Sequence, residues 1–309
     1  MSREPFVSVV VPCFNEAGNI QELYDQLQPV LAGFSKYELI FVDDGSSDET
    51  VRIIEGLGAN NASAKLIQLS RNFGHQAALK AGLDNASGDC IISLDADLQH
   101  PPELIPDLIK KWQEGYEVVF TQREEDKNLS WLKRATSKFF YRLAQKLTSV
   151  QIQQGTADFR LLDRAVVDVL KQMEESYLFI RGLVSWVGFK QTAISYTASD
   201  RFSGKTSYTY RKMFSLALSG ITSFSIRPLQ LSIILGLVIA TLAGIYGLYV
   251  IYIFVFTESA IEGWASTTAS VLFIGGVQLI MLGILGEYVG KGFIEGKRRP
   301  NYVIRKKNP

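Results

Sequence analysis

From Leu229 to Thr257 the chain carries no Asp, Glu, Lys or Arg, and from Trp264 to Gly286 it again carries none. A bilayer hydrocarbon core of about 30 Å is crossed by about 20 apolar helical residues, so each stretch is long enough to span it. Uncharged runs of this length predict two transmembrane helices, about 229–256 and 265–288, rather than the core of a soluble domain. The connector Glu258-Ser259-Ala260-Ile261-Glu262-Gly263 is short and acidic. The flanks are basic: Arg211, Lys212 and Arg227 come before, and Lys291, Lys297, Arg298, Arg299, Arg305, Lys306 and Lys307 after. By the positive-inside rule both termini and the region before the spans face the cytoplasm of a plasma (inner) membrane. Gly236, Ala240 and Gly244 recur every fourth residue, which permits close helix contact. Two spans are too few to enclose a wide path in one copy, which suggests a homo-oligomer. The start, Met1 to Pro5, has no apolar run, so no signal peptide is expected.

The region before the spans reads differently. Apolar runs at 6–11, 38–43, 65–69, 90–94 and 117–121 predict strands, and they alternate with predicted helices at 17–32, 48–57, 74–85 and 102–114. Such alternation predicts an α/β domain with a mostly parallel sheet covered on both faces. A net charge of +1 gives no reason to expect nucleic acid. Cys13 and Cys90 lack metal-ligand spacing and read as small core residues. His75 and His100 are isolated in sequence and read as surface or hydrogen-bonding residues.

Three of the strands run into polar, mostly acidic segments: Pro12-Cys13-Phe14-Asn15-Glu16, Asp43-Asp44-Gly45-Ser46-Ser47-Asp48, and Asp95-Ala96-Asp97-Leu98-Gln99. Ligands of open α/β sheets bind beyond the carboxyl ends of strands. Closely spaced carboxylates there suit a hard cation, Mg²⁺ or Mn²⁺, and others suit the base and ribose of a nucleotide. A single Asp-x-Asp would equally serve as a helix cap, given Pro101-Pro102 behind it. Three such segments on one sheet edge are more than a core requires.

These motifs resemble those of the inverting family 2 glycosyltransferases with the GT-A fold. The form Asp95-Ala96-Asp97-Leu98-Gln99-His100-Pro101-Pro102 looks like that of the polyprenyl-phosphate sugar synthases. The resemblance covers residues 5 to 215, and the two spans narrow it to the bacterial undecaprenyl-phosphate type. It implies a Rossmann-like GT-A domain over 1–207, containing an amphipathic interfacial helix at 130–149. A second interfacial segment over 208–228 and a transmembrane hairpin with a basic cytoplasmic tail over 229–309 would follow. It also implies transfer of one sugar from a nucleotide sugar, UDP-linked, to a polyisoprenyl phosphate. By this resemblance Asp97, Asp158 and Arg201 are catalytic. Pro12, Asn15, Glu16, Asp43, Asp44, Asp95, Ala96 and Lys205 hold the nucleotide. Asp95, Asp97 and Gln99 hold the metal. Arg123, Lys133, Arg134 and Ser137 take the acceptor phosphate.

Chemistry adds detail to two of these regions. The helix from Trp131 to Val150 interleaves Lys133, Arg134, Lys138, Arg142 and Lys146 with Phe139, Phe140 and Leu143. That pattern fits a membrane interface and an ordinary surface helix equally. Arg201-Phe202-Ser203-Gly204-Lys205 has the groups for a mobile lid over a diphosphate. All donor contacts are expected before residue 210. Two rivals lack support. A processive polysaccharide synthase would carry a Gln-x-x-Arg-Trp motif and more spans. A lipid transporter subunit would place charges within its spans.

Overall fold

The computed structural model describes residues 4–123, 156–196, 225–257 and 263–308. The chain runs β1 (Phe6–Cys13), α1 (Ala17–Leu31), β2 (Lys36–Asp43), α2 (Thr50–Asn60), β3 (Ala64–Leu69), α3 (His75–Asn85) and β4 (Cys90–Ser93). A 3-10 turn, Pro102–Leu104, leads into α4 (Ile105–Gln113). Then come β5 (Val118–Arg123), β6 (Thr156–Asp163), α5 (Arg164–Lys171), α6 (Ile180–Trp186), β7 (Gln191–Tyr196), α7 (Arg227–Thr257), α8 (Trp264–Gly296) and β8 (Ile304–Lys307). All five strands and four helices read from the first part of the sequence are present, with ends shifted by a few residues. The interfacial helix at 130–149 and most of the 208–228 segment lie outside the described residues.

The strands form one sheet in the order β7-β5-β6-β4-β1-β2-β3-β8. Four of the seven neighbouring pairs are parallel, and β6 and β8 supply the antiparallel ones. The sheet is thus mixed but mostly parallel. Its centre is the apolar run of β1, where Val7, Val9, Val10 and Val11 are all inaccessible to solvent. A parallel strand covered on both faces needs such a run, because alternate side chains enter two cores. Val7, Val9 and Val11 pack with Ile20 and Leu23 of α1, Ile54 of α2 and Leu108 of α4. Val10 packs with Ala78 of α3, Val166 of α5 and Leu183 of α6. Cys13 and Cys90 are buried and free, as their sequence context suggested.

Helix α3 sits very close to the sheet. A Cβ added at Gly82 would overlap Cγ1 of Val10 and lie 3.1 Å from Cγ2 of Val42. Gly82→Ala should therefore destabilise the domain by about 1–3 kcal/mol despite Ala's better helix propensity. An unchanged Tm in the solubilised protein would show that α3 can retreat from β1 at no cost. The site depends on this seating, because α3 delivers His75 to it.

Helices α7 and α8 are long and apolar enough to cross a membrane, with mean hydropathy 2.3 over Arg227–Ile253 and 2.1 over Ala269–Gly296. Large side chains along them, such as Leu231, Ile245, Phe256 and Leu279, face outward. A Cβ on Gly236 would lie 4.0 Å from Cε of Met281, so this small residue does face the neighbouring span. With 33 residues α8 is longer than the hydrocarbon core requires. Its last turns reach the sheet domain. Ser176 N–H donates to both carboxylate oxygens of Glu295 at 2.9 and 3.1 Å, and Lys291 Nζ lies 5.1 Å from the Tyr177 ring centroid. Tyr288 Oη donates to the Ser225 carbonyl at 2.6 Å, so the start of α7 lies at this same end.

The segment expected as a basic tail is built into the sheet. Strand β8 lies antiparallel to β3, with Ile67 opposite Lys307 and Leu69 opposite Ile304. Ser70 N–H donates to Val303 C=O at 2.8 Å, Tyr302 Oη to Asp84 at 2.9 Å, and Lys306 Nζ to Glu55 at 2.6 Å. Arg305-Lys306-Lys307 shows no apolar alternation because an edge strand can be polar along its length. Lysines there also discourage pairing with further chains.

Candidate active site

The carboxyl ends of β1, β2 and β4 open onto one cavity of about 1080 Å³. From the β4 end, Asp95, Ala96, Asp97 and Gln99 line it. The turn that presents them is tight. Leu98 has φ 60°, a left-handed backbone that a branched apolar residue rarely adopts, and Gln99 N–H donates to Asp97 Oδ1 at 3.2 Å. Strained backbone of this kind concentrates at functional sites. The alternative of helix capping does not hold, since neither the 3-10 turn nor α4 has a side-chain cap.

Two histidines bracket Asp95. His75 Nε2 lies 2.9 Å from Asp95 Oδ1, and His100 Nδ1 lies 3.9 Å from Oδ2. Burial pushes the His75 imidazole down, but its bond to Asp95 outweighs this and holds it above its ordinary value. His100 is buried, stacked 5.5 Å from Phe159 and edge-on to Tyr196 at 6.0 Å. His75 is the exposed, hydrogen-bonding residue that its sequence context allowed, whereas His100 is buried. The signal was spatial, because 20 residues separate His75 from Asp95.

The two other acidic segments divide into cavity wall and support. Pro12 and Glu16 line the cavity, and Asn19 Nδ2 donates to Glu16 at 2.6 Å. Asp44 lines it as well, yet both its oxygens are engaged by backbone N–H groups, Phe73 at 2.7 Å and Gly74 at 2.9 Å. Asp44 thus fixes the loop entering α3. Asn15 and Asp43 are not among the residues of the wall. Asn15, with φ 57°, accepts from Ser47 N–H at 2.9 Å and so shapes the β2 turn. Asp43 is fully buried, where Oδ1 accepts from Ser46 N–H at 3.1 Å and Oδ2 has no partner among the described residues.

Asp158, in β6, reaches the same cavity. Arg181 of α6 grips it with two bonds, Nε to Oδ1 at 2.7 Å and Nη2 to Oδ2 at 2.8 Å, and Arg160 approaches Oδ1 at 3.2 Å. Burial would raise the Asp158 carboxyl, but the Arg181 bonds and the charges of Arg181 and Arg160 hold it well below the usual carboxylate range. Sequence analysis singles out Asp158 but not Arg181, which no motif marks. Arg71 lines the cavity with its guanidinium 3.9 Å from the Phe73 ring centroid.

The wall also continues past residue 210, the expected limit of donor contacts. Ile294, Arg299, Pro300 and Asn301 belong to it, because β8 pairing pulls the end of α8 over the sheet edge. Arg123 ends β5 opposite Tyr196. Lys133, Arg134, Ser137, Arg201 and Lys205 lie outside the described residues.

The donor set suits a divalent cation. Asp95 and Asp97 present carboxylates to the cavity with the Gln99 amide beside them, a hard oxygen set of the kind Mg²⁺ and Mn²⁺ prefer. A second grouping, His75, Asp95 and Asp158, has ligand atoms within 4.8 Å of one another. It is the poorer candidate, since a cation there would have to displace the two-pronged Arg181 contact from Asp158.

Residues 8–170 match the model of glycosyl transferase family 2, and residues 227–291 match that of the GtrB C-terminal hairpin. The chain is 44% identical over 307 residues to a protein named uncharacterized glycosyltransferase YkcC from Bacillus subtilis, covering 99% of this chain and 95% of that one. It belongs to glycosyl transferase family 2. It is also 42% identical over 302 residues to a prophage bactoprenol glucosyl transferase homolog of Escherichia coli, covering 97% and 98% of the two chains. A bactoprenol glucosyl transferase of Shigella phage SfII is 40% identical over 306 residues, covering 97% of each. Among solved structures, a Pyrobaculum calidifontis mannosyltransferase in complex with GDP-Man and Mn²⁺ superposes with TM-score 0.51 at 17% identity. That match covers 72% of this chain and 64% of the other, and it shows the shared GT-A fold. Behind the family 2 domain the chain carries two helices long and apolar enough to cross a membrane.

Proposed function

We propose that this glycosyltransferase moves one glucosyl residue from UDP-glucose, or a closely related UDP-sugar, to undecaprenyl phosphate at the cytoplasmic face of the plasma membrane, with inversion at the anomeric carbon. One observation carries this reading. A single cavity has the Asp95–Asp97 carboxylates on one side and residues from the end of α8 on another. A soluble anionic donor and a membrane-held anionic acceptor need such a meeting place. The full-length similarity to proteins named bactoprenol glucosyl transferase supports the same acceptor and sugar.

In this reading Pro12, Glu16 and Asp44 frame the nucleotide, with Asn15 and Asp43 holding the turns behind them. Asp95 and Asp97, with Gln99, would hold Mg²⁺ or Mn²⁺, which when bound neutralises charge on the departing diphosphate. His75 orients Asp95. The acceptor phosphate oxygen attacks the anomeric carbon, and the bond to the donor phosphate breaks with its electron pair leaving on the nucleoside diphosphate. A phosphate monoester has its second pKa near ~6, so its oxygen arrives ionised and no proton need be removed. A carboxylate held as low as that of Asp158 is a weak base, so Asp158 is assigned to orienting Arg181 and the sugar. Arg201 and Lys205 close over the diphosphate. Arg123, Lys133, Arg134 and Ser137 receive the acceptor phosphate from the membrane side. The outward apolar faces of α7 and α8 would meet lipid or further copies of the chain.

The test is a panel of radiolabelled nucleotide sugars offered with undecaprenyl phosphate in detergent micelles. The expected result is label in the lipid fraction, matched by an equal release of UDP, with UDP-glucose among the best donors. Absence of any lipid-linked label with all UDP-sugars would refute the proposal, and release of GDP instead would correct the donor.

A further inference from the structure

The chain leaves α8 by an abrupt turn. Lys297 caps the helix, and Arg298 then adopts a left-handed backbone with φ 47°, a conformation that costs an L-residue energy unless its surroundings hold it. Soon afterwards Val303 and Ile304 are paired with Ser70 and Leu69 at the edge of the sheet. Arg299, Pro300 and Asn301 are therefore held from both ends, and all three form part of the cavity wall. A tail that merely anchored the hairpin would not need to pass through the site.

The charges in that wall give the segment a task. Among the described residues five carboxylates line the cavity, those of Glu16, Asp44, Asp95, Asp97 and Asp158, and three guanidiniums accompany them, those of Arg71, Arg181 and Arg299. A phosphate ester entering so acidic a space needs cations that are not already committed. Arg181 spends both prongs on Asp158. Arg71 donates to the Asn72 carbonyl at 2.9 Å and lies over Phe73. Arg299 is exposed to the cavity and has no ion pair with any described residue.

We infer that Arg299, delivered by the segment behind the second span, binds a phosphate-ester oxyanion in this cavity. The oxyanion belongs either to the nucleoside diphosphate or to the lipid phosphate, since both present the same chemistry to a guanidinium fork. The inference rests on the reading under Proposed function. It makes the site incomplete in a domain cut before the hairpin, because the wall includes residues that follow α8.

The experiment uses the full-length protein in detergent or nanodiscs. Arg299→Ala and Arg299→Gln are compared with wild type and with Lys306→Ala, a change on the same tail but outside the cavity. UDP and GDP are titrated by calorimetry in the presence of Mg²⁺, and initial rates are measured against undecaprenyl phosphate concentration. Loss of one charge-assisted contact should weaken one of these by about tenfold or more, while Lys306→Ala leaves both unchanged. A loss of nucleotide affinity assigns the contact to the diphosphate. A raised acceptor KM with intact nucleotide binding assigns it to the lipid phosphate. If Arg299→Ala disturbs β8 and lowers the Tm, Arg299→Gln, which keeps most of the side chain, decides the matter. Both quantities within about twofold of wild type in a folded variant overturn the inference alone. Wild type that binds neither nucleotide and transfers no sugar removes the underlying reading, and this inference with it.

Discussion

Asp97→Asn should lower sugar transfer by about 10²–10³-fold while leaving the fold intact. The amide oxygen can still accept from Gln99 N–H, so the Asp95–Gln99 turn survives. On the metal assignment proposed above, what is lost is one of two negative charges that would hold a divalent cation beside the diphosphate. Removing a single preorganised electrostatic contact to developing charge costs on this scale in other enzymes. Wild type treated with EDTA should lose transfer as well, and Mg²⁺ or Mn²⁺ should restore it. Asp97→Asn should then need a higher metal concentration for half-maximal rate. The measurement is initial rate against metal concentration for both proteins. Full turnover by wild type in rigorously metal-free buffer would rule out the metal assignment, and an unchanged metal requirement in the variant would remove Asp97 from it.

The largest effect on stability is expected at Asp158. Its carboxylate is 5% exposed and bound by Arg181, with Arg160, 4% exposed, beside it. Asp158→Ala takes this carboxylate from Arg160, a buried arginine two residues along the same strand, β6. Breaking a buried pair by removing one partner typically costs about 3–5 kcal/mol. Arg181→Ala should cost less, because that side chain is 38% exposed and water can reach its place. The folded-state pKa of Asp158 is depressed, so this stabilisation is complete at neutral pH. It is lost only as acid protonates the carboxylate, below the ordinary value near ~4. Thermal unfolding of the solubilised variants at neutral pH gives the order, with Asp158→Ala lowest. Equal Tm values for wild type and Asp158→Ala would mean the arginines are satisfied without it. Transfer should fall in both variants, since Arg181 and Asp158 both line the cavity.

Local pattern was enough to place β1 to β5, the helices α1 to α4 between them and the hairpin, but not β6, β7, β8, α5 or α6. Each β1 residue from Val7 to Val11 is enclosed, and a chain cannot write such a run without putting it at a sheet centre or in a membrane. The absence of charge over the spans is a constraint of the same local kind. The gathering of the strand-end acids at one cavity was legible because parallel strands of an open α/β sheet end at one edge, so short contiguous turns carry the pattern in one dimension. Even there, sequence did not separate Asp44, which lines the cavity while bracing a loop, from Asp43, which is buried behind it.

Tertiary structure alone decided the contacts between distant elements. The Arg181–Asp158 clamp joins α6 to β6, His75 reaches Asp95 from α3, and Glu295 meets Ser176 across 119 residues. Nothing in the spacing of these residues records such pairings, because they depend on how the helices pack and not on any local period. The tail is the clearest case. Arg305-Lys306-Lys307 reads as a solvated basic end, since a polar edge strand carries neither an apolar face nor a turn of its own to announce it. Its pairing is supplied by the exposed edge of β3. That edge exists only once the sheet has formed, and it is what brings Arg299 into the cavity.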